Sequence, residues 1–463
     1  MTGFCGSAIL KIELVVLRHG LTIVVLGWAE FASAGAQGVS DPVFAAVPFN
    51  RWLADGDQTK FRWTTRVLPA ELSSHQRLLA GAEIQVDGNE LVGRRGHGQL
   101  VMLIQFRDSA DRAYQAHGIV DLQNVKDEAA KSNIIYDQEA FVLPGDYRVD
   151  LVLFDAKTGE HSAVQKTLHV NPLRNDPLPA AWKDLPPVEL PHAMETPDAW
   201  FRPDLTGRLQ LPVTARRPIR VEVLMNTAAS GPTQRPAAGQ GLGGGQGGLG
   251  VGTISNRGLA NVVPALKVFS QMAVSGGSLH VTLLDIPNRR VIFEQDAVRE
   301  LDWPRMRDAL TEADPNKIDV RSLAHREQNA QFFVEQVRQR LGDASRPGAE
   351  EPFRALIVLS GPTTFNSGED MRPIELTGKP NAKVYYIRYH LPQEPLAIPA
   401  MYDPLMPRGR RNLPGAGLPP AAAEPFDSLG SLLKPLQPRV FEVYTPEQFR
   451  KALSSLIEEI ARL

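Results

Sequence analysis

Apolar residues in this chain change their spacing once, and that change constrains the fold more than any other feature. From about residue 44 to 172 they come in short runs of period two, such as Leu100, Met102, Ile104 and Phe106, or Tyr147, Val149, Leu151 and Leu153. Such alternation puts every second side chain on one face of a pleated strand. The second run follows Pro144, Gly145 and Asp146 and ends in the turn-forming stretch 155–159, after which 163–170 reads as the returning strand. The spacing predicts an antiparallel β-sandwich over residues 44–172.

A connector over 173–216 follows, with Pro186, Pro187, Pro191, Pro197 and Pro203 and little apolar periodicity. Beyond it, residues 219–225, 279–284, 353–359 and 383–389 are apolar runs that fit strands covered on both faces, and 290–293 suits a short strand. Helical stretches fall at 262–272, 303–310 and 323–341, the last with Phe332, Phe333, Val337 and Leu341 on one broad face. The chain closes with a strand at 440–443, Thr445 as N-cap, Pro446 at the first helical position and a helix to Leu463. This alternation predicts an α/β doubly wound, Rossmann-like domain over 217–463. Two insertions interrupt it. Nine of the 14 residues in 239–252 are Gly, and 391–438 is rich in Pro and holds Arg408, Arg410 and Arg411. Neither buries enough apolar surface to offset its ordering entropy, so mobile insertions are expected at 231–257 and 391–438.

Composition closes off several functions. The 50 Lys and Arg against 52 Asp and Glu argue against nucleic-acid binding through bulk charge. Cys5 is the single cysteine, which excludes an intramolecular disulfide and any multi-thiolate metal site. Lys11 and Arg18 precede the apolar run at 21–29, and small residues lead to Ala34 and Ala36. That order reads as a secretory signal over 1–36, cleaved near Ala34 or Ala36, with the mature chain exported to the periplasm or beyond the cell and free of an integral membrane span. Glu13 and Glu30 are unusual in such a segment.

The residues around 145–159 resemble the last hairpin of immunoglobulin-like or fibronectin-like bacterial modules, without a Cys-Trp-Cys hallmark. The element order of 217–463 resembles a von Willebrand factor A domain, and the whole resembles bacterial VWFA-related domain proteins. In that family the first strand ends in D-x-S-x-S, a Thr comes from a later loop, and an Asp ends the fourth strand. Here Asn226 stands at the first Asp position, Ala228 at the first Ser, and Ser230 is retained. Ser360 stands where the fourth-strand Asp would be, and the Thr position falls within 314–322, at Asp319 or Ser322. Magnesium normally needs a carboxylate to offset its dehydration, so this degenerate adhesion site is expected to hold no metal and the chain to use no cofactor.

Other chemical signatures are thin. Gly239, Gly241 and Gly244 satisfy G-x-G-x-x-G, but a tract so rich in glycine contains that pattern by chance, and it starts more than ten residues after the strand. No H-E-x-x-H, nucleophile elbow or Walker A lysine occurs. His75 and His325 read as surface or capping groups. Phe44, Phe49, Trp52, Phe61 and Trp63 read as sandwich core rather than a sugar platform. The sequence therefore favours a non-catalytic interaction protein that binds a protein partner at the carboxyl-end rim of the parallel sheet, around Asn226, Ser230, Asp319 and Ser360. The alternatives are a hydrolase with a dispersed catalytic set and a purely structural envelope protein.

Overall fold

The computed structural model describes residues 41–56, 61–123, 125–191, 205–227, 257–312, 328–342, 352–363, 365, 374, 381–390 and 427–463. The expected signal segment, Ser230, Asp319, His325 and the glycine tract lie outside these residues, as do most of both insertions. Residues from Gly38 to Leu463 form one compact unit.

Helices α1 (Pro42–Ala45) and α2 (Phe49–Asp55) come first. Strands β1 (Trp63–Leu72) and β2 (Leu78–Val86), the short helix α3 (Gly88–Gly93), then β3 (Gln99–Arg107), β4 (Ala113–Asp121), β5 (Ile134–Val142), β6 (Gly145–Asp155), β7 (His161–Val170) and β8 (Val188–Glu189) follow. They form two four-stranded sheets of antiparallel pairs, ordered β1-β2-β5-β8 and β4-β3-β6-β7. Ala82, Ile84 and Val86 of one sheet share a core with Leu100, Met102, Ile104, Val149, Leu151 and Leu153 of the other. The intervening residues Val101, Leu103, Val152 and Phe154 lie under Phe44, Phe49 and Trp52 of the two N-terminal helices. Strands β3 and β6 are thus covered on both faces, which is why their middles, 100–104 and 151–154, are unbroken apolar runs.

The second half contains β9 (Leu211–Thr214), β10 (Ile219–Asn226), α4 (Arg257–Phe269), β11 (Met272–Ser275), β12 (Ser278–Asp285), β13 (Arg290–Gln295), α5 (Trp303–Glu312), α6 (Gln328–Leu341), β14 (Phe353–Ser360), β15 (Ala382–Tyr389), α7 (Ser428–Leu433), β16 (Arg439–Val443) and α8 (Pro446–Arg462). Six of these strands build a sheet in the order β13-β12-β10-β14-β15-β16. Alternate residues of its central strands enter different cores: Val223, Met225, Ile357 and Leu359 pack with α4 and α8, whereas Leu224, Leu356 and Val358 pack with α6 and α7. Thr445 caps α8 by accepting a hydrogen bond from the Gln448 backbone N–H, and Pro446 opens its first turn.

The expected fold class needs correction. Among the described residues the molecule is mostly β, with four sheets, 41% strand and 28% helix, and no clear Rossmann-like α/β doubly wound domain is shown. Strand β13 returns antiparallel to β12 after a tight turn rather than through a crossover helix. Strands β9 and β11 leave the main sheet and pair with each other. Between β14 and β15 no helix occurs among the described residues. Apolar runs flanked by helical stretches imply covered strands, but they carry neither strand direction nor sheet membership, and the expected alternation depended on both. Among the described residues no helix is long and apolar enough to cross a membrane.

Candidate functional site

Strands β10 and β14 are parallel neighbours with Met225 opposite Leu359, so their next residues, Asn226 and Ser360, finish side by side at the carboxyl end of the sheet. Both are buried, at 1% and 0% exposure. Asn226 Nδ2 donates to Ser360 Oγ at 3.1 Å and to Thr363 Oγ1 at 3.0 Å. Each hydroxyl in turn donates to the Gly361 carbonyl, at 2.7 Å from Ser360 and 3.1 Å from Thr363. Two amide hydrogens, two hydroxyls and one carbonyl thereby satisfy one another. Next along the chain, Thr227 Oγ1 donates to the Leu284 carbonyl at 2.8 Å, which ties the end of β10 to that of β12.

This arrangement does not fit a divalent cation. The amide presents N–H groups, the positive end of its dipole, to the hydroxyls that would have to coordinate. Among the described residues there is also no group of three or more His, Cys, Asp and Glu able to hold a metal. A carboxylate beside this cluster is that of Asp427, just before α7. Its Oδ1 accepts from the Thr363 backbone N–H at 3.4 Å, and its Oδ2 accepts from Tyr386 and from Arg388 Nε, each at 2.8 Å. The guanidinium supplies the positive charge that this carboxylate needs in a buried setting.

From Asp427 the polar chain runs outward. Arg388 Nη1 donates to Glu442 Oε1 at 2.6 Å, and His390 Nε2 lies 2.9 Å from Glu442 Oε2. The His390 ring stacks on Tyr444 with centroids 4.3 Å apart and planes 5° from parallel. His390 follows β15 and Tyr444 follows β16, so both belong to the same carboxyl end. Burial, reinforced by the adjacent Asp427 carboxylate, pushes the Tyr386 phenol well above its ordinary pKa of 10.0. Burial opposes the charge on Arg388, but Asp427 and Glu442 outweigh it and raise its pKa. Tyr386 therefore keeps its proton and Arg388 its charge near neutral pH.

Of the four residues expected at the rim, Asn226 and Ser360 are brought together, while Ser230 and Asp319 lie outside the described residues. Thr363 and Asp427 were not anticipated. Thr363 had a local signal, a hydroxyl three residues beyond the strand end, whereas Asp427 comes from 64 residues further on and had none. Elsewhere, His75 is buried against Phe141 rather than exposed, with ring centroids 5.5 Å apart. Phe44, Phe49, Trp52 and Phe61 are core residues, and Trp63 is half-buried with its indole N–H donating to Ser162 Oγ at 2.9 Å.

No family model matches the chain, and no curated protein does. A Northeast Structural Genomics Consortium target is similar at 13% identity with a TM-score of 0.15, covering 25% of this chain and 88% of that one. A calcium-binding mutant of Bacteroides uniformis beta-glucuronidase 2 is similar at 7% identity with a TM-score of 0.17, covering 64% of this chain and 33% of that one.

Proposed function

We propose that this chain is an exported interaction protein that meets a protein partner at the carboxyl end of its six-stranded sheet and performs no chemistry there. The observation that carries this reading is Tyr444, 47% exposed and held by stacking on His390. A pre-ordered aromatic at the surface offers large contact area and a hydroxyl at little entropic cost, which is why Tyr is enriched in protein interfaces. Asn226 and Ser360 serve as supports in this reading. Being buried, they cannot touch a partner, and together they fix residues 361–363 at the same end of the sheet. Ser230 and Asp319, expected at this rim from the sequence, lie outside the described residues. Export rests on the apolar run at 21–29 and the small residues around Ala34 and Ala36.

A photo-crosslinking residue placed at position 444 of the full chain, expressed in its own cells, tests the proposal. Position 291 is the control, because Val291 is also exposed but lies on the opposite edge strand, β13. The expected result is a discrete adduct with a second protein at 444 and none at 291. No adduct at 444, or the same adducts at both positions, would overturn it.

A further inference from the structure

At the amino end of β12, away from the rim, three side chains stand in the order nucleophile, base and orienting acid. Ser278 opens the strand, and His280, two residues on, projects from the same face. Ser278 Oγ is 2.8 Å from His280 Nε2, and His280 Nδ1 is 2.5 Å from Asp296 Oδ1. An ionised carboxylate can only accept, so Nδ1 carries the imidazole proton. That leaves the Nε2 lone pair facing the serine hydroxyl, which is the tautomer a general base requires.

The surroundings hold this set in place. His280 is buried. Arg220, from the neighbouring β10, lies 3.6 Å from Asp296 and also pairs with the buried Glu222. Arg340, from α6, donates to Thr282 Oγ1 at 3.0 Å and to Glu294 at 3.1 Å, which fixes the next residue of the same strand face, two positions beyond His280. Ser278 is half-buried, and the turn before it is open on one side. A Cβ at Gly276 would meet nothing within 4 Å, whereas one at Gly277 would strike the Ile219 carbonyl at 2.1 Å.

We propose that Ser278 is a nucleophile activated by His280 and Asp296, giving the chain an acyl-transfer activity toward small esters. Ser278 Oγ attacks the ester carbonyl while its proton passes to His280 Nε2. The C–O bond to the alcohol breaks, and the alcohol leaves with that proton. Water then attacks the acyl-serine and gives its proton to His280, which returns one to Ser278 as the carboxylic acid departs. His280 is the general base; Asp296, which does not touch the substrate, is a positioning residue.

The test is covalent labelling of the full chain with a fluorophosphonate ester, located by mass spectrometry, alongside hydrolysis of p-nitrophenyl acetate. The expected adduct is on Ser278, forming about 100-fold or more slowly in His280→Gln, as removal of a general base implies. Asp296→Asn should slow it about 10-fold or more. Asp296 is 71% exposed at its side chain, so that variant tests the idea even if His280→Gln fails to fold. Ester hydrolysis should disappear in Ser278→Ala. No adduct on Ser278, an undiminished rate in Asp296→Asn, or hydrolysis that survives Ser278→Ala overturns the proposal.

Discussion

Arg450 and Asp176, 274 residues apart in sequence, form a bidentate ion pair, with Arg450 Nε and Nη2 donating to the two carboxylate oxygens at 2.6 and 2.8 Å. Arg450 Nη2 also donates to the Leu178 carbonyl at 2.8 Å, and its guanidinium lies 4.6 Å from the centroid of the Trp182 ring. From the sandwich, Gln76 donates to the Pro446 carbonyl at 3.0 Å and accepts from the Trp182 indole at 2.8 Å. Helix α8, the connector and the β1–β2 turn are thereby joined at one point. Arg450 is only 2% exposed, so Arg450→Met strands a mostly buried carboxylate and should cost about 3–5 kcal/mol. Adding Asp176→Leu should recover much of that loss, because an apolar pair needs no counter-charge. Urea unfolding measures both, and a single-variant cost under about 1 kcal/mol would show that the pair does not join the halves.

The same junction makes stability depend on acid. Burial alone would raise the pKa of Asp176, but hydrogen bonds from Arg450 and the Leu178 backbone hold it below its ordinary 3.8. Glu189 is likewise opposed by burial, yet the charge and hydrogen bond of Arg77 and the backbone N–H groups of Thr206 and Gly207 keep it below its ordinary 4.5. A carboxyl whose folded pKa is depressed adds stability that is fully present above its unfolded value and is lost as pH falls through the folded one. The contribution of these two groups should therefore be constant from neutrality down to about pH 5, then decline with further acid. Urea midpoints measured against pH should show a shallower acid limb in Asp176→Asn/Glu189→Gln. An unchanged limb would mean that other carboxylates dominate.

What the sequence made legible was local. The alternating runs in β3 and β6, the unbroken runs in β14 and β15 and the Thr445–Pro446 helix start are each written within a few residues, because they report which faces are covered and where a backbone N–H needs a cap. Asn226 and Ser360 could be singled out because each ends an apolar run at a position where the resemblance to the von Willebrand A family places an acidic residue. Their partner Asp427 could not, since a carboxylate at the end of a Pro-rich stretch looks like a solvated group until Tyr386 and Arg388 are known to face it. The Arg450–Asp176 pair is invisible for the same reason. The fold class was misread where direction mattered: the spacing of 290–293 marks a strand, but nothing in it says that β13 runs against β12.

Asn226 is held by what it donates, and Asn226→Asp tests this. A carboxylate has nearly the shape of the amide but cannot donate, so Ser360 and Thr363 can meet it only by turning their hydroxyl protons away from the Gly361 carbonyl, and a charge is buried. A loss of about 2–4 kcal/mol at neutral pH is expected, shrinking as pH falls and the new acid takes up a proton able to donate. Ser360→Ala, which leaves Thr363 to accept from the amide, should cost less, about 1–2 kcal/mol. Thermal unfolding at pH 7 and pH 5 measures these differences. If Asn226→Asp is as stable as the parent at neutral pH, the closed hydroxyl–amide cluster is not what occupies this end of the sheet.

The two sheets of the sandwich also meet at a pair that can be tested independently of any function. Gly118 lies in β4 and Tyr136 in β5, and a Cβ on Gly118 would come within 2.7 Å of Tyr136 Cδ2 and 2.8 Å of Cε2. The aromatic ring thus occupies the space that the missing side chain leaves. Gly118→Ala forces the ring aside and should cost about 1–3 kcal/mol, even though alanine is otherwise no worse than glycine in a strand. Tyr136→Ala removes both the packing and the obstruction, so in that background the added methyl should cost little. The coupling in the double-mutant cycle should be at least about 1 kcal/mol in favour of the pair of changes. Strictly additive effects would separate these residues and with them the packing of β4 against β5.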